Sequence, residues 1–121
     1  MKIRIKSASL RLRLSKSEVA RLVKEGLVKE ETPFPGSSFR YSVRKTLSGD
    51  ALTATFDGGQ ITMLVPGSLI ADWDNNTLIS IEATMPVGVG GLYLLLEKDF
   101  QCIDATTEDQ SDNYINPNQI C

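Results

Sequence analysis

The sequence predicts a mostly β chain with two short helices, an α+β domain built as a small β-barrel. Three observations carry this expectation. Apolar and charged residues alternate over "KIRIK", "LRLRL" and several later segments, the period of a strand with one buried face. Only two segments carry helix signals. The order of elements in the first half returns in the second, as in a duplicated β-β-α-β-β unit. Closing such units into a barrel removes exposed sheet edges, and an open α+β sheet is the alternative.

In "KIRIK" and "LRLRL", Ile3, Ile5, Leu10, Leu12 and Leu14 fall on one face, and Lys2, Arg4, Lys6, Arg11 and Arg13 on the other. The pair reads as a hairpin turning at Ser7-Ala8. "SKSEVARLVKEG" reads as a helix. Ser15 and Glu18 form a capping box, Val19, Leu22 and Val23 an apolar stripe, and Gly26 the stop. "LVKEET" reads as a strand, "PFPGSS" as a loop, and "FRYSVRK" as a strand with Phe39, Tyr41 and Val43 inward.

The second half follows the same plan. "ALTATF" and "QITMLV" read as strands around "DGGQ", a tight hairpin turn. "PGSLIADW" reads as a short helix, "TLISIEA" as a strand, "MPVGVGG" as a loop and "LYLLLEK" as a strand buried on both faces. A shift of 51 residues lines up the halves: Val19 falls on Ile70, Leu22 on Trp73 and Pro35 on Pro86. The expected organisation is one domain over residues 1–103, with repeats 1–50 and 51–103, and an acidic tail over 104–121.

A chain of 121 residues with 41% apolar and 23% charged residues has a globular composition with room for one core. The start has no apolar leader, and the longest apolar run, Leu92 to Leu96, is too short for a membrane span, which points to the cytoplasm. The two cysteines, Cys102 and Cys121, read as free thiols. There is no histidine, so the usual general base and the usual activator of a serine or cysteine nucleophile are both missing. Charge is divided unevenly. Residues 1–50 hold twelve Lys/Arg against five Asp/Glu, and residues 51–121 hold one Lys against ten Asp/Glu. Neutralisation between touching halves is the expected reason.

Four candidate chemistries follow. Lys2, Arg4, Lys6, Arg11 and Arg13 on a paired ribbon suit nucleic-acid phosphates, but no aromatics interleave with them. "ITMLVPGSLIADWDNNTLISIE" looks like the β-α-β element of the AbrB-like swapped-hairpin regulators. Its Asp72, Asp74 and Glu82, where DNA contact needs cations, disfavour that use. "GVGG" at Gly88 to Gly91 precedes a strand and not a helix, so it reads as a bulge or a close backbone approach, not a phosphate loop. Glu97, Asp99, Glu108, Asp109 and Asp112 form a carboxylate set that suits a hard divalent cation, without EF-hand spacing; a solvated run is the plainer reading. Cys102 beside Phe100 reads as a small apolar residue, and Lys98 between two carboxylates as a held cation.

The opening "MKIRIKSASLRLRLSKSEVARLVKEGLVKE" and the closing "LEKDFQC", "ED" and "NP" resemble a small family of uncharacterised bacterial proteins. Glu97, Lys98, Asp99, Phe100, Cys102, Glu108, Asp109, Asp112, Asn116 and Pro117 match its motifs, while Tyr114 and Ile115 stand where the family has Phe before Asn-Pro. The resemblance implies a bacterial cytosolic setting and no mechanism. It also implies that the tail folds back, with Phe100 and Tyr114 docking on the barrel and the carboxylates meeting the hairpin arginines as a clasp.

The leading expectation is a non-catalytic interaction or ligand-binding module. Its partner is an unidentified protein or small molecule, and no cofactor is expected. The first rival is a metal-dependent or anion-handling enzyme, with a divalent cation on the carboxylates and Arg11, Arg13, Arg40 and Arg44 as anion clamps. The second is a nucleic-acid binder.

Overall fold

The computed structural model describes residues 1–100. They form eight strands and one α-helix: β1 (Lys2–Ile5), β2 (Ser9–Leu14), α1 (Lys16–Glu25), β3 (Leu27–Phe34), β4 (Ser37–Thr46), β5 (Thr53–Asp57), β6 (Gln60–Pro66), β7 (Ser80–Val87) and β8 (Gly90–Lys98). A 3-10 turn, Gly67–Leu69, lies between β6 and β7.

Every strand is hairpin-paired with its chain neighbour, and the hairpins then pair across the halves. The first sheet has the order β1-β2-β8-β7 and the second β3-β4-β6-β5. Outer pairs are antiparallel. The central pairs, β2 with β8 and β4 with β6, are parallel. Each sheet therefore takes one hairpin from residues 1–46 and one from residues 53–98. Renaming β1–β4 as β5–β8 converts one sheet order into the other.

Register refines the match between halves. Leu10 pairs with Leu94, and Ile61 with Tyr41, which sets Ile61 51 residues after Leu10 and Leu94 53 after Tyr41. The offset grows by two between the helical segments and the hairpins that follow. Pro33, on edge strand β3, thus corresponds to Pro86 on edge strand β7. The expected pairing of Pro35 with Pro86 does not hold. Both prolines sit on edges, where a missing N–H costs no ladder bond.

The core is the space between the sheets. Leu10, Leu12, Leu14, Val28, Val43, Ile61, Met63, Val65, Ile81, Leu94 and Leu96 project into it from strands, and Val19, Leu22, Ile70 and Trp73 close one end. Helix α1 starts as its sequence requires. Glu18 N–H donates to the Ser15 hydroxyl (3.3 Å), and Ser15 N–H to the Glu18 carboxylate (2.9 Å). It stops at Gly26, whose φ of +81° is left-handed and whose N–H donates to Leu22 O.

Three expectations are corrected. No closed barrel forms among the described residues: strand pairing gives two separate four-stranded sheets. Their edges meet at β5 and β7 without pairing as strands, through contacts such as Ala54 N–H to Met85 Sδ (3.4 Å). The second helix is a single 3-10 turn that Pro66 and Gly67 open, and beyond it Trp73 reaches forward so that its indole N–H donates to Leu78 O (2.8 Å). The strand "LYLLLEK" is buried on one face only. Leu94 and Leu96 face the core, while Tyr93, Leu95 and Glu97 lie outside, where no helix among the described residues covers the sheet. Residues 104–121, the expected tail, lie outside the described residues, as does Cys102 of the expected clasp; Glu97, Lys98, Asp99 and Phe100 of that clasp are described.

Candidate functional site

The parallel pairing of β2 with β8 decides the fate of the matched carboxylates. Glu97 stands opposite Arg13 in the ladder. Its Oε1 accepts from Arg13 Nε at 2.6 Å and lies 2.6 Å from Arg11 Nε. The Glu97 side chain is only 12% exposed, so these contacts are half-desolvated. Asp99 meets Lys2 at 2.8 Å, and its N–H donates to Leu14 O. Lys98 turns away from both carboxylates. Its Nζ donates to Asn76 O (2.8 Å) and lies 5.7 Å from the centre of the Trp73 ring. The expected placement of Lys98 between carboxylates therefore does not hold.

The arginines do not converge. Arg11 and Arg13 lie on the outer face of the first sheet. Arg40 and Arg44 lie on the outer face of the second, with Arg40 held by Glu31 at 2.9 Å. Phe100 is 62% exposed, and Tyr114, its partner in the expected docking, lies outside the described residues. Cys102 lies outside the described residues, as do Glu108, Asp109 and Asp112, so of the expected carboxylate set only Glu97 and Asp99 are described. Among the described residues no group of three His, Cys, Asp or Glu is placed to hold a metal. No helix among them is long and apolar enough to cross a membrane. Gly91 shows the close approach expected of "GVGG": a Cβ there would lie 2.8 Å from the Thr84 methyl.

An unexpected charge centre holds the chain start. The Met1 amine donates to Glu18 (2.7 Å) and Glu30 (3.1 Å), joining β1 to α1 and β3. Burial works to lower its pKa, but the bonds and charge of the two glutamates outweigh it and raise the amine above 8.0. Glu18 is pushed up by burial. The amine, Ser15 N–H and the Ser15 hydroxyl outweigh that and hold it below 4.5.

Sequence reasoning missed the most site-like feature. In each sheet the central strands run parallel, so all four hairpin turns lie at one end, opposite α1 and Trp73. There the sheets part around a groove of about 420 Å³. Its walls come from corresponding positions of the two halves: Ile5 and Phe56, Leu10 and Ile61, Phe39 and Leu92. Met85 and Ala54 add further apolar wall, and Ser7, Ser9 and Thr55 supply hydroxyls. Two of the lining residues, each at or next to the end of a first hairpin strand, are exposed: Ile5 (59%) and Phe56 (70%). The signal was present in the sequence as apolar residues beside turns. Only the parallel central pairing gathers them.

Beside the groove, on the outer face of the first sheet, lies a second hollow of about 250 Å³ lined by Arg4, Lys6, Arg11, Tyr93 and Leu95. Ser9 and Leu10 border both hollows. Tyr93 hydroxyl donates to Glu82, and that bond, with burial and the Glu82 charge, raises the phenol above 10.0.

No curated protein and no solved structure matches the chain. One family model covers residues 1–118, and the chain belongs to that family, the family of unknown function DUF7009.

Proposed function

We propose that this chain is a non-catalytic binding module whose site is the groove at the turn end. One observation carries the reading: an apolar groove of about 420 Å³, lined by matched pairs from both halves, of which Ile5 and Phe56 are exposed. Pockets of this size with few polar groups suit small apolar ligands, and exposed apolar rims of this kind mark binding surfaces. We also propose that the halves arose by duplication. The exchange symmetry of the sheet orders and the paired groove walls support this.

The rival readings have weaker support. Glu97, the central carboxylate of the metal proposal, already faces Arg11 and Arg13. Of the cations in the nucleic-acid proposal, Lys2 pairs with Asp99, and Arg11 and Arg13 with Glu97, so acidic residues interleave where phosphates would lie.

Titration with the neutral fluorophore N-phenyl-1-naphthylamine tests the proposal. Saturable binding of one probe per chain is expected. Phe56→Glu, an exposed change that leaves the core intact, should weaken it about tenfold by placing a charge on the apolar wall. Absence of saturable binding, or a Phe56→Glu variant that binds as the unchanged chain does, would overturn the reading.

A further inference from the structure

The two halves place matching backbone around the groove but do not place matching charges. The hollow outside the first sheet has Arg4, Lys6, Ser9 and Arg11 along β1 and β2. The positions 51 residues on, along β5 and β6, are Thr55, Asp57, Gln60 and Thr62. One flank of a nearly symmetric groove is therefore cationic, and the opposite flank has a carboxylate in place of Lys6. Groove and cationic hollow meet at the start of β2, where Ser9 and Leu10 line both. The β1-β2 hairpin ends at Ser7-Ala8, level with Tyr93, where Tyr93 N–H donates to Ala8 O (2.9 Å), while β8 continues back to Gly90. A molecule in the groove can leave over this turn, past Ser9, and reach Lys6. Lys6 is exposed and has no ion pair among the described residues.

Resting on the groove as the binding site, we infer that its ligand is a single-chain amphipathic carboxylate, such as a free medium-chain fatty acid. The alkyl chain lies between Phe39, Leu92, Ile61 and Phe56, and the carboxylate lies over the β1-β2 turn at Lys6. An apolar chain needs no polar partner in the groove, which offers only Ser7, Ser9 and Thr55. A carboxylate needs a donor and positive potential; Lys6 supplies the donor, and Arg4 and Arg11, each already engaged elsewhere, add positive field on that side. Arg11 keeps its contact with Glu97 and contributes field, not a free hand. A cationic head finds no such place beside Lys6.

Calorimetry on the full chain with decanoate and with decyltrimethylammonium tests this, alongside displacement of N-phenyl-1-naphthylamine. Decanoate should bind once per chain, displace the fluorophore, and bind about tenfold or more tighter than the cation. Lys6→Glu should abolish that preference while leaving fluorophore binding unchanged, and Asp57→Lys should leave decanoate affinity no weaker. Equal binding of the two heads, or a preference that survives Lys6→Glu, overturns the inference. So does decanoate that binds without displacing the fluorophore, which would be surface ion pairing only. Sedimentation showing a dimer that excludes both probes would make a second copy the occupant, and also overturns it. Fluorophore binding without head-group preference sinks this inference alone; no binding of either sinks the groove reading as well.

Discussion

Glu97 gathers two arginines in a half-desolvated position, whereas Asp99 meets a Lys2 that is 70% exposed. Removing one partner of a buried pair strands the other charge at a cost of about 3–5 kcal/mol, while an exposed pair contributes at most about 1 kcal/mol. Glu97 lies between these limits. Glu97→Ala should cost about 1–3 kcal/mol and lower the melting temperature by roughly 4–15 °C, and Asp99→Ala by only a few degrees. Equal melts for the two variants would contradict the difference in burial. The Met1 amine and Glu18 set the pH range of stability. The amine's pKa is raised in the folded chain, so its contribution is complete below about pH 8 and is lost as pH rises through the raised value. Glu18 is lowered, so its contribution is complete above about pH 4.5 and is lost as pH falls through the lowered value. Thermal melts across pH should show a plateau between, and Glu18→Gln should flatten both limbs.

At the scale of elements, helix α1 is fixed at both ends by short-range chemistry. Ser15→Ala should cost about 1 kcal/mol by removing the cap of Glu18 N–H. Gly26→Ala should cost about 1–2 kcal/mol through its left-handed φ, since the added Cβ meets only Lys45 carbons at 3.7 Å and beyond. Denaturant unfolding measures both, with an unchanged slope expected because the surface exposed on unfolding is the same. The two helical segments are also held alike by their hairpins. Lys45 Nζ donates to Val23 O (2.7 Å), and Lys98 Nζ to Asn76 O (2.8 Å), 53 residues on in both donor and acceptor. A lysine at the end of each second hairpin thus reaches the C-terminal carbonyls of its unit, where a cation is favoured. The correspondence persists although one segment is a ten-residue helix and the other begins with a single 3-10 turn.

At the scale of the molecule, neither half holds a complete sheet. Residues 1–50 provide β1-β2 and β3-β4, whose inner strands β2 and β4 pair with β8 and β6 from the other half. An isolated two-stranded hairpin is marginal in water. Separately produced fragments 1–50 and 51–121 should therefore lack cooperative thermal unfolding at low concentration, and mixing them should restore it. Circular dichroism and a melt of the mixture decide this. A fragment 1–50 that unfolds cooperatively as a monomer would contradict the exchanged hairpins. The same exchange brings the basic half against the acidic half strand by strand, as Arg13 opposite Glu97 illustrates.

The sequence by itself determined the local structure. Alternation in "LRLRL" specified a strand with Leu10, Leu12 and Leu14 inward. The Ser15 and Glu18 spacing specified a capped helix ending at Gly26, and "DGGQ" specified a turn, with positive φ at both Gly58 and Gly59. These features depend on neighbours within a few residues, so the chain encodes them directly. Only the tertiary structure decided which hairpins pair. Leu95 read as buried because a run of leucines suits a strand covered on both faces. It lies on the outer face, where no described element covers the sheet, which no residue of β8 records. Glu97 read as a metal ligand, a solvated carboxylate or a clasp to the hairpin arginines, because Arg11 and Arg13 lie more than eighty residues away and only the fold brings them to it. The groove was illegible for the same reason. Ile5, Phe39, Phe56 and Leu92 are ordinary apolar residues at the ends of four strands, and become one surface only because β2 runs parallel to β8 and β4 to β6.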